Sequence, residues 1–188
     1  MTANIKDTGA QRALGALRNC GPRGQKLADE LDRRGTRVWV TPKIYGGFTL
    51  NFINTIFIYP LPGNATESDF KYWVTLLGHE ACHVEQRYWV DSVEQEINSY
   101  TAQAHVADEL GIDLNYIKDR FAHLDPKSPD DQKTAYAALL TLFGNTPAGT
   151  VYASLPLLQP VRLHAVLPAA RQLAAVIRAG LKPRSGFG

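Results

Sequence analysis

The chain has 188 residues, 45% of them hydrophobic, 20% charged and 10% aromatic, with a formal net charge of +2. That balance excludes a disordered chain, which needs fewer apolar residues and more net charge, and a collagen-like or disulfide-dense scaffold. No apolar run approaches the ~18 residues of a membrane-spanning helix, and Cys20 and Cys82 are too few for a disulfide framework.

In chain order, residues 10–18 and 25–34 read as helices, parted by Gly21-Pro22-Arg23-Gly24 and stopped at Gly35. Arg37-Val38-Trp39-Val40-Thr41 is a strand. Residues 43–59 are dense in Ile, Phe and Tyr, with turns at Gly46-Gly47 and between Asn51 and Asn54. Together they predict a small, mostly antiparallel sheet of three or four strands, closed by Pro60 and Pro62. A helix over 69–89 follows, with Ser68 as N-cap and Asp69 in its first turn. The next helix, 92–110, stops at Gly111. A third starts after Asp113, and a fourth opens at Ser128-Pro129-Asp130-Asp131 and ends at Gly144. A loop containing Val151-Tyr152-Ala153-Ser154 leads to a last helix, 160–179, kinked at Pro168. The fold class is α+β: a core over 1–111 and a helical extension over 112–188 packed on it.

Charge is unevenly spread. Residues 1–60 carry a net +5, residues 61–131 a net −9, and residues 132–188 a net +6 with no carboxylate side chain. Basic ends folding onto an acidic middle account for this. The basic residues are scattered and carry no nucleic-acid signature, so nucleic acid is not expected as a partner. The 160–179 helix is basic and amphipathic, with Arg171 and Arg178 opposite its apolar face. Packing on the domain is its expected role, ahead of a membrane surface or a partner's groove. Residues 1–15 are polar and mixed in charge, so no signal peptide is visible and a cytoplasmic location is expected.

The chemistry concentrates in Leu76-Leu77-Gly78-His79-Glu80-Ala81-Cys82-His83. Two histidines four apart on a helix lie one turn apart on one face, so both imidazoles can reach one ion. Glu80 is ~100° round the helix, close enough to take a proton from a water at that ion without being a ligand. By composition alone, H-E-x-x-H is expected about 0.005 times in a chain like this. Leu77, Ala81, Val84 and Tyr88 form an apolar stripe opposite the histidines.

A third ligand is required, because two imidazoles hold zinc weakly. Asp91-Ser92-Val93-Glu94 reads as a capping box, which gives Asp91 and Glu94 structural work. On the following helix Val93, Ile97, Tyr100, Ala104 and Ala107 form a stripe, and Glu96 lies within it. A carboxylate there is costly unless a cation neutralises it. In an αα-hairpin turning at 89–91, Glu96 returns to the level of His83 and Tyr100 to that of His79. His79, His83 and Glu96 are therefore the predicted ligands, with Zn2+ as the ion. Tyr100 is the first candidate to steady an oxyanion, with Tyr152 and His164 as alternatives. His105 is expected on the exposed side of its helix, and His123 has no evident partner. Cys82 reads as a small buried residue, its alternative being a thiol near the ion that keeps the site latent.

H-E-x-x-H followed by a glutamate helix, here Glu96-Ile97-Asn98-Ser99-Tyr100, resembles the gluzincin branch of zincin metallopeptidases. The order helix, small sheet, two zinc-bearing helices is similar to the compact minigluzincins. The resemblance spans roughly residues 25–110 and is specific only over 79–100. It implies a zinc peptidase acting on a peptide or protein substrate, with Glu80 as general base and an edge strand holding an extended peptide. The separation of His83 and Glu96 is shorter than in thermolysin-like enzymes. The rival expectation is a catalytically silent scaffold with a structural site, and a third is an enzyme kept latent by residues 145–188.

Overall fold

The structure is a computed structural model, and it describes residues 2–44, 46–88 and 90–158 together with Ala174. Two helices, α1 (Thr8–Cys20) and α2 (Pro22–Arg34), open the fold. Asp7 caps α1 by accepting from the Ala10 amide at 2.9 Å. Gly35 ends α2 in the left-handed conformation, φ 60°, where a side chain would be strained. Gly21 supplies no side-chain cap for α2. A distant carboxylate does instead: Glu109 accepts from the Arg23 and Gly24 amides at 2.7 and 2.9 Å.

Four strands follow the order β1-β2-β4-β3, with β1 at Asn4–Ile5, β2 at Arg37–Val40, β3 at Gly47–Leu50 and β4 at Thr55–Ile58. The sheet is mixed, not mostly antiparallel as expected: β1-β2 and β2-β4 are parallel and only β3-β4 is antiparallel. The cause lies in the connections. After β2 the chain first passes to the sheet edge as β3, then turns back through a 3-10 turn (Asn51–Ile53). It thereby inserts β4 between β3 and β2. Asn54 completes that turn at φ 50°, and Asn tolerates this conformation better than most residues. Strand β1, too short to show a period, escapes sequence reading.

The long helices α3 (Glu67–Gln86) and α4 (Val93–Leu110) form the predicted hairpin. The N-cap of α3 is Thr66, not Ser68, because Thr66 and Asp69 close a reciprocal capping box. Ser92, not Asp91, caps α4. Helices α5 (Asn115–Phe121) and α6 (Pro129–Phe143) match expectation, and Ser128 caps α6. A short helix α7 (Pro147–Tyr152) occupies part of the expected loop, while the predicted helix over 160–179, with its Pro168 kink, lies outside the described residues.

Helix α4 is buried on nearly every side and serves two apolar clusters. Ala102 and Val106 join the cluster made with α1, α2, α3 and the sheet. Val93, Ile97, Tyr100, Ala104 and Ala107 join Phe121, Leu139 and Leu155 in the second. The predicted stripe therefore packs on α5–α7, and the side turned to α3 is the smaller, more polar one bearing Gln95, Ser99 and Gln103. Tyr88, assigned to the core stripe of α3, is 40% exposed because α3 ends before it. No helix among the described residues is long and apolar enough to cross a membrane.

Candidate metal centre

Three side chains from α3 and α4 converge. One ligating atom each from His79, His83 and Glu96 lie within 4.8 Å of one another. His79 Nε2 and His83 Nε2 are 3.2 Å apart. Glu96 Oε2 is 3.4 Å from His79 Nε2, and Glu96 Oε1 is 3.5 Å from His83 Nε2. All three residues are at most 5% exposed. Glu96 Oε2 has no hydrogen-bond donor. A buried carboxylate oxygen without a donor, set against two imidazole nitrogens whose only close polar partners are each other and that carboxylate, could hold a metal ion.

Glu80 points to the sheet side of α3. Its Oε2 accepts from Thr49 Oγ1 at 2.8 Å, and that hydroxyl also lies 3.1 Å from the Glu80 carbonyl. Burial, helped by the neighbouring charges of Glu96 and Asp91, raises its carboxyl well above the ordinary range, against the opposing pull of Thr49. Burial likewise raises the Glu96 carboxyl. Burial holds His79 neutral, moving its ring down to about 3.

The surrounding shell holds residues the sequence reading missed or misassigned. Asp91, read as a cap, places Oδ1 3.5 Å from His83 Nδ1. Burial pushes its carboxyl up to about 6, with His83 pulling the other way. Asn51 Nδ2 donates to the His83 carbonyl at 3.0 Å and ties the 3-10 turn to the end of α3. Gly47 lies against Glu80, where a Cβ would not fit without displacement.

Tyr100 stands at the level of His79, as the hairpin arithmetic requires, with ring centroids 4.4 Å apart and edge-on. Its hydroxyl is 2.7 Å from that of Tyr152 on α7. The Tyr152 ring is in turn packed on Phe143, centroids 5.1 Å apart. Burial first, then Tyr152 and Glu96, drive the Tyr100 phenol well above its usual range; burial and Glu96 do the same for Tyr152 against the lowering pull of its bond to Tyr100, so each keeps its proton. Residues 155–157 run beside the start of α4, where the Val93 and Glu94 amides donate to the Pro156 and Leu157 carbonyls at 2.9 and 3.1 Å.

Cys82 is buried and faces away from the ligands. Its sulfur takes contacts from Arg23 Nη2 at 3.4 Å and Gln86 Nε2 at 3.5 Å and lies 3.7 Å from the Asn98 carbonyl. It is not one of the side chains that converge with His79, His83 and Glu96. His105 and His123 are exposed, and His164 lies outside the described residues. No protein-family model, curated protein or solved structure matches the chain.

Proposed function

We propose that the chain is a zincin-like, zinc-dependent peptidase in which His79, His83 and Glu96 hold the ion and Glu80 is the general base. The observation that carries this reading is the buried donor trio beside a separately anchored carboxylate. A purely structural site has no use for Glu80, since zinc is normally closed by its own ligands. When bound, zinc supplies Lewis acidity to a water and to the scissile carbonyl. Glu80 accepts a proton at the carboxylate oxygen that Thr49 leaves free and passes it to the leaving amine. Burial raises its affinity for protons, in the direction such a base needs. Tyr100, protonated and held beside His79, is the proposed donor to the developing oxyanion.

Strand β3 is a sheet edge, and it shares Thr49 with the base. An extended peptide pairing with that edge would run past Glu80, which supports a peptide or protein as substrate. The unpaired thiols of Cys20 and Cys82 support a reducing, cytoplasmic setting.

Replacing Glu80 with Gln tests the reading. Hydrolysis of a peptide mixture should fall by about 10²–10⁴-fold while zinc content and melting temperature stay at wild-type values. A zinc-loaded wild-type chain that cleaves nothing in a broad peptide library would leave the silent scaffold as the better account.

A further inference from the structure

The inner face of α4 carries a buried glutamine whose orientation can be read from its neighbours. Gln103 is 3% exposed, and its Nε2 donates to Thr75 Oγ1 at 3.3 Å. The single hydroxyl proton of Thr75 goes to the Tyr72 carbonyl at 2.8 Å, so toward Gln103 this oxygen can only accept. A flipped amide would set oxygen against oxygen. The Gln103 carboxamide therefore presents its NH₂ to Thr75 and turns its carbonyl the other way.

His79 stands one helical turn on from Thr75 on the same face of α3, and Tyr100, one turn before Gln103 on α4, meets its ring at 4.4 Å. Gln103 Oε1 and His79 Nδ1 are both buried, and neither has a hydrogen-bond partner. Nε2 of the same ring is turned to His83 and Glu96. The α3–α4 contact thus holds one unsatisfied acceptor and one unsatisfied ring nitrogen. A neutral imidazole carries one proton, and placing it on Nδ1 satisfies the glutamine carbonyl.

We propose that Gln103, oriented by Thr75, is a positioning residue that fixes His79 as the Nδ1–H tautomer and reserves its Nε2 lone pair for a metal ion. The tautomer is a property of the chain itself, whereas its use rests on the metal-centre reading given above. The relay runs from the Tyr72 carbonyl through the Thr75 hydroxyl and the Gln103 amide to the imidazole, each link fixing the direction of the next. Outer groups that orient a ligating imidazole in this way raise its basicity toward the ion.

The test has two arms on the full chain. In the first, the ¹⁵N-labelled, chelator-treated protein at pH 7 is read by long-range ¹H–¹⁵N correlation of its imidazoles. Wild-type His79 should appear as Nδ1–H. Gln103→Met, of similar shape but without an acceptor, should lose that preference, and Gln103→Glu, which keeps an oxygen, should retain it. Thr75→Val, which frees the amide to turn, should weaken it and stands in if Gln103→Met does not fold. An Nε2–H His79 in the wild type, or a tautomer indifferent to these changes, overturns the proposal.

In the second arm, zinc affinity is measured by competition with a chromophoric chelator. Gln103→Met should bind about 10–100-fold more weakly, and Gln103→Glu within about threefold of wild type. Equal affinities in all three overturn the positioning role. A wild type that shows the Nδ1–H tautomer yet binds no zinc overturns the metal reading instead, and with it the role, while the tautomer assignment stands.

Discussion

Gly47 and Glu80 are in such close approach that a Cβ on Gly47 would lie 2.8 Å from both Cγ and Oε1 of Glu80. No real contact of that kind survives, so a side chain there moves the carboxylate. The absence of a side chain at 47 is what lets the edge strand and α3 meet. Gly47→Ala should therefore lower kcat/KM on peptides by roughly 10²-fold, the scale of loss for a displaced catalytic group. Its zinc content should not change, because the ligands lie on the other flank. Parallel kinetics and metal analysis check this, and an unimpaired Gly47→Ala enzyme would remove Glu80 from the role of base.

Zinc should stabilise the fold, since three ligands from two helices assemble only in the native hairpin. At a free concentration about a thousandfold above Kd, linkage contributes ~4 kcal/mol. For a domain of this size that is a rise in melting temperature of roughly 10 °C. Chelator should reverse it, and His83→Ala and Glu96→Ala should melt at one temperature with or without zinc. Calorimetry decides the point, and a wild-type transition indifferent to the ion would speak against any metal centre here.

The trio was legible because its logic is local. Helical spacing sets His79 and His83 on one turn, and a hairpin midpoint brings Glu96 back to them. The rest of the site depends on pairings that leave no local trace. Thr49 and Gly47 reach Glu80 only because β3 is carried to the edge before β4 is inserted, and periodicity does not encode strand order. Asp91 and Ser92 are adjacent and both able to cap. Ser92 takes the cap, which leaves Asp91 to face His83. Gln103 reads as an ordinary polar position until the α3–α4 contact is known. Tyr152 meets Tyr100 across 52 residues, a separation no motif spans.

The segment over 147–157 should control access to the ion. It packs against Tyr100 and the start of α4, beside ligands that are nearly solvent-free. Tyr152→Phe keeps the ring and removes only the hydroxyl bond, worth ~1 kcal/mol when buried. If opening of this segment limits exchange, loss of zinc to a competing chelator should be about fivefold faster in the variant, the equivalent of that energy. Stopped-flow exchange measures it. Identical rates would mean that the ion is reached by another route.

Glu109 does for α2 what its own N-cap does not, and the same carboxylate lies 3.4 Å from the Cys20 sulfur. Removing its charge in Glu109→Gln should cost about 1–2 kcal/mol, because charge-assisted bonds to helix amides are the stronger kind. Burial first, and then Glu109, push the Cys20 thiol up to about 11. The folded chain therefore holds this proton where the unfolded chain, with its thiol near the ordinary value of 9, has begun to lose it. The sign follows: the contribution is complete below pH 9 and is lost as the pH climbs toward 11. Alkylation of Cys20 at pH 8 should accordingly be about a hundredfold slower than that of a free thiol. Glu109→Gln should speed it, since the raising influence of the carboxylate is gone while the burial remains. A Cys20 that alkylates at the rate of an ordinary thiol would mean that α2 stands away from α4 in solution, and the cap with it.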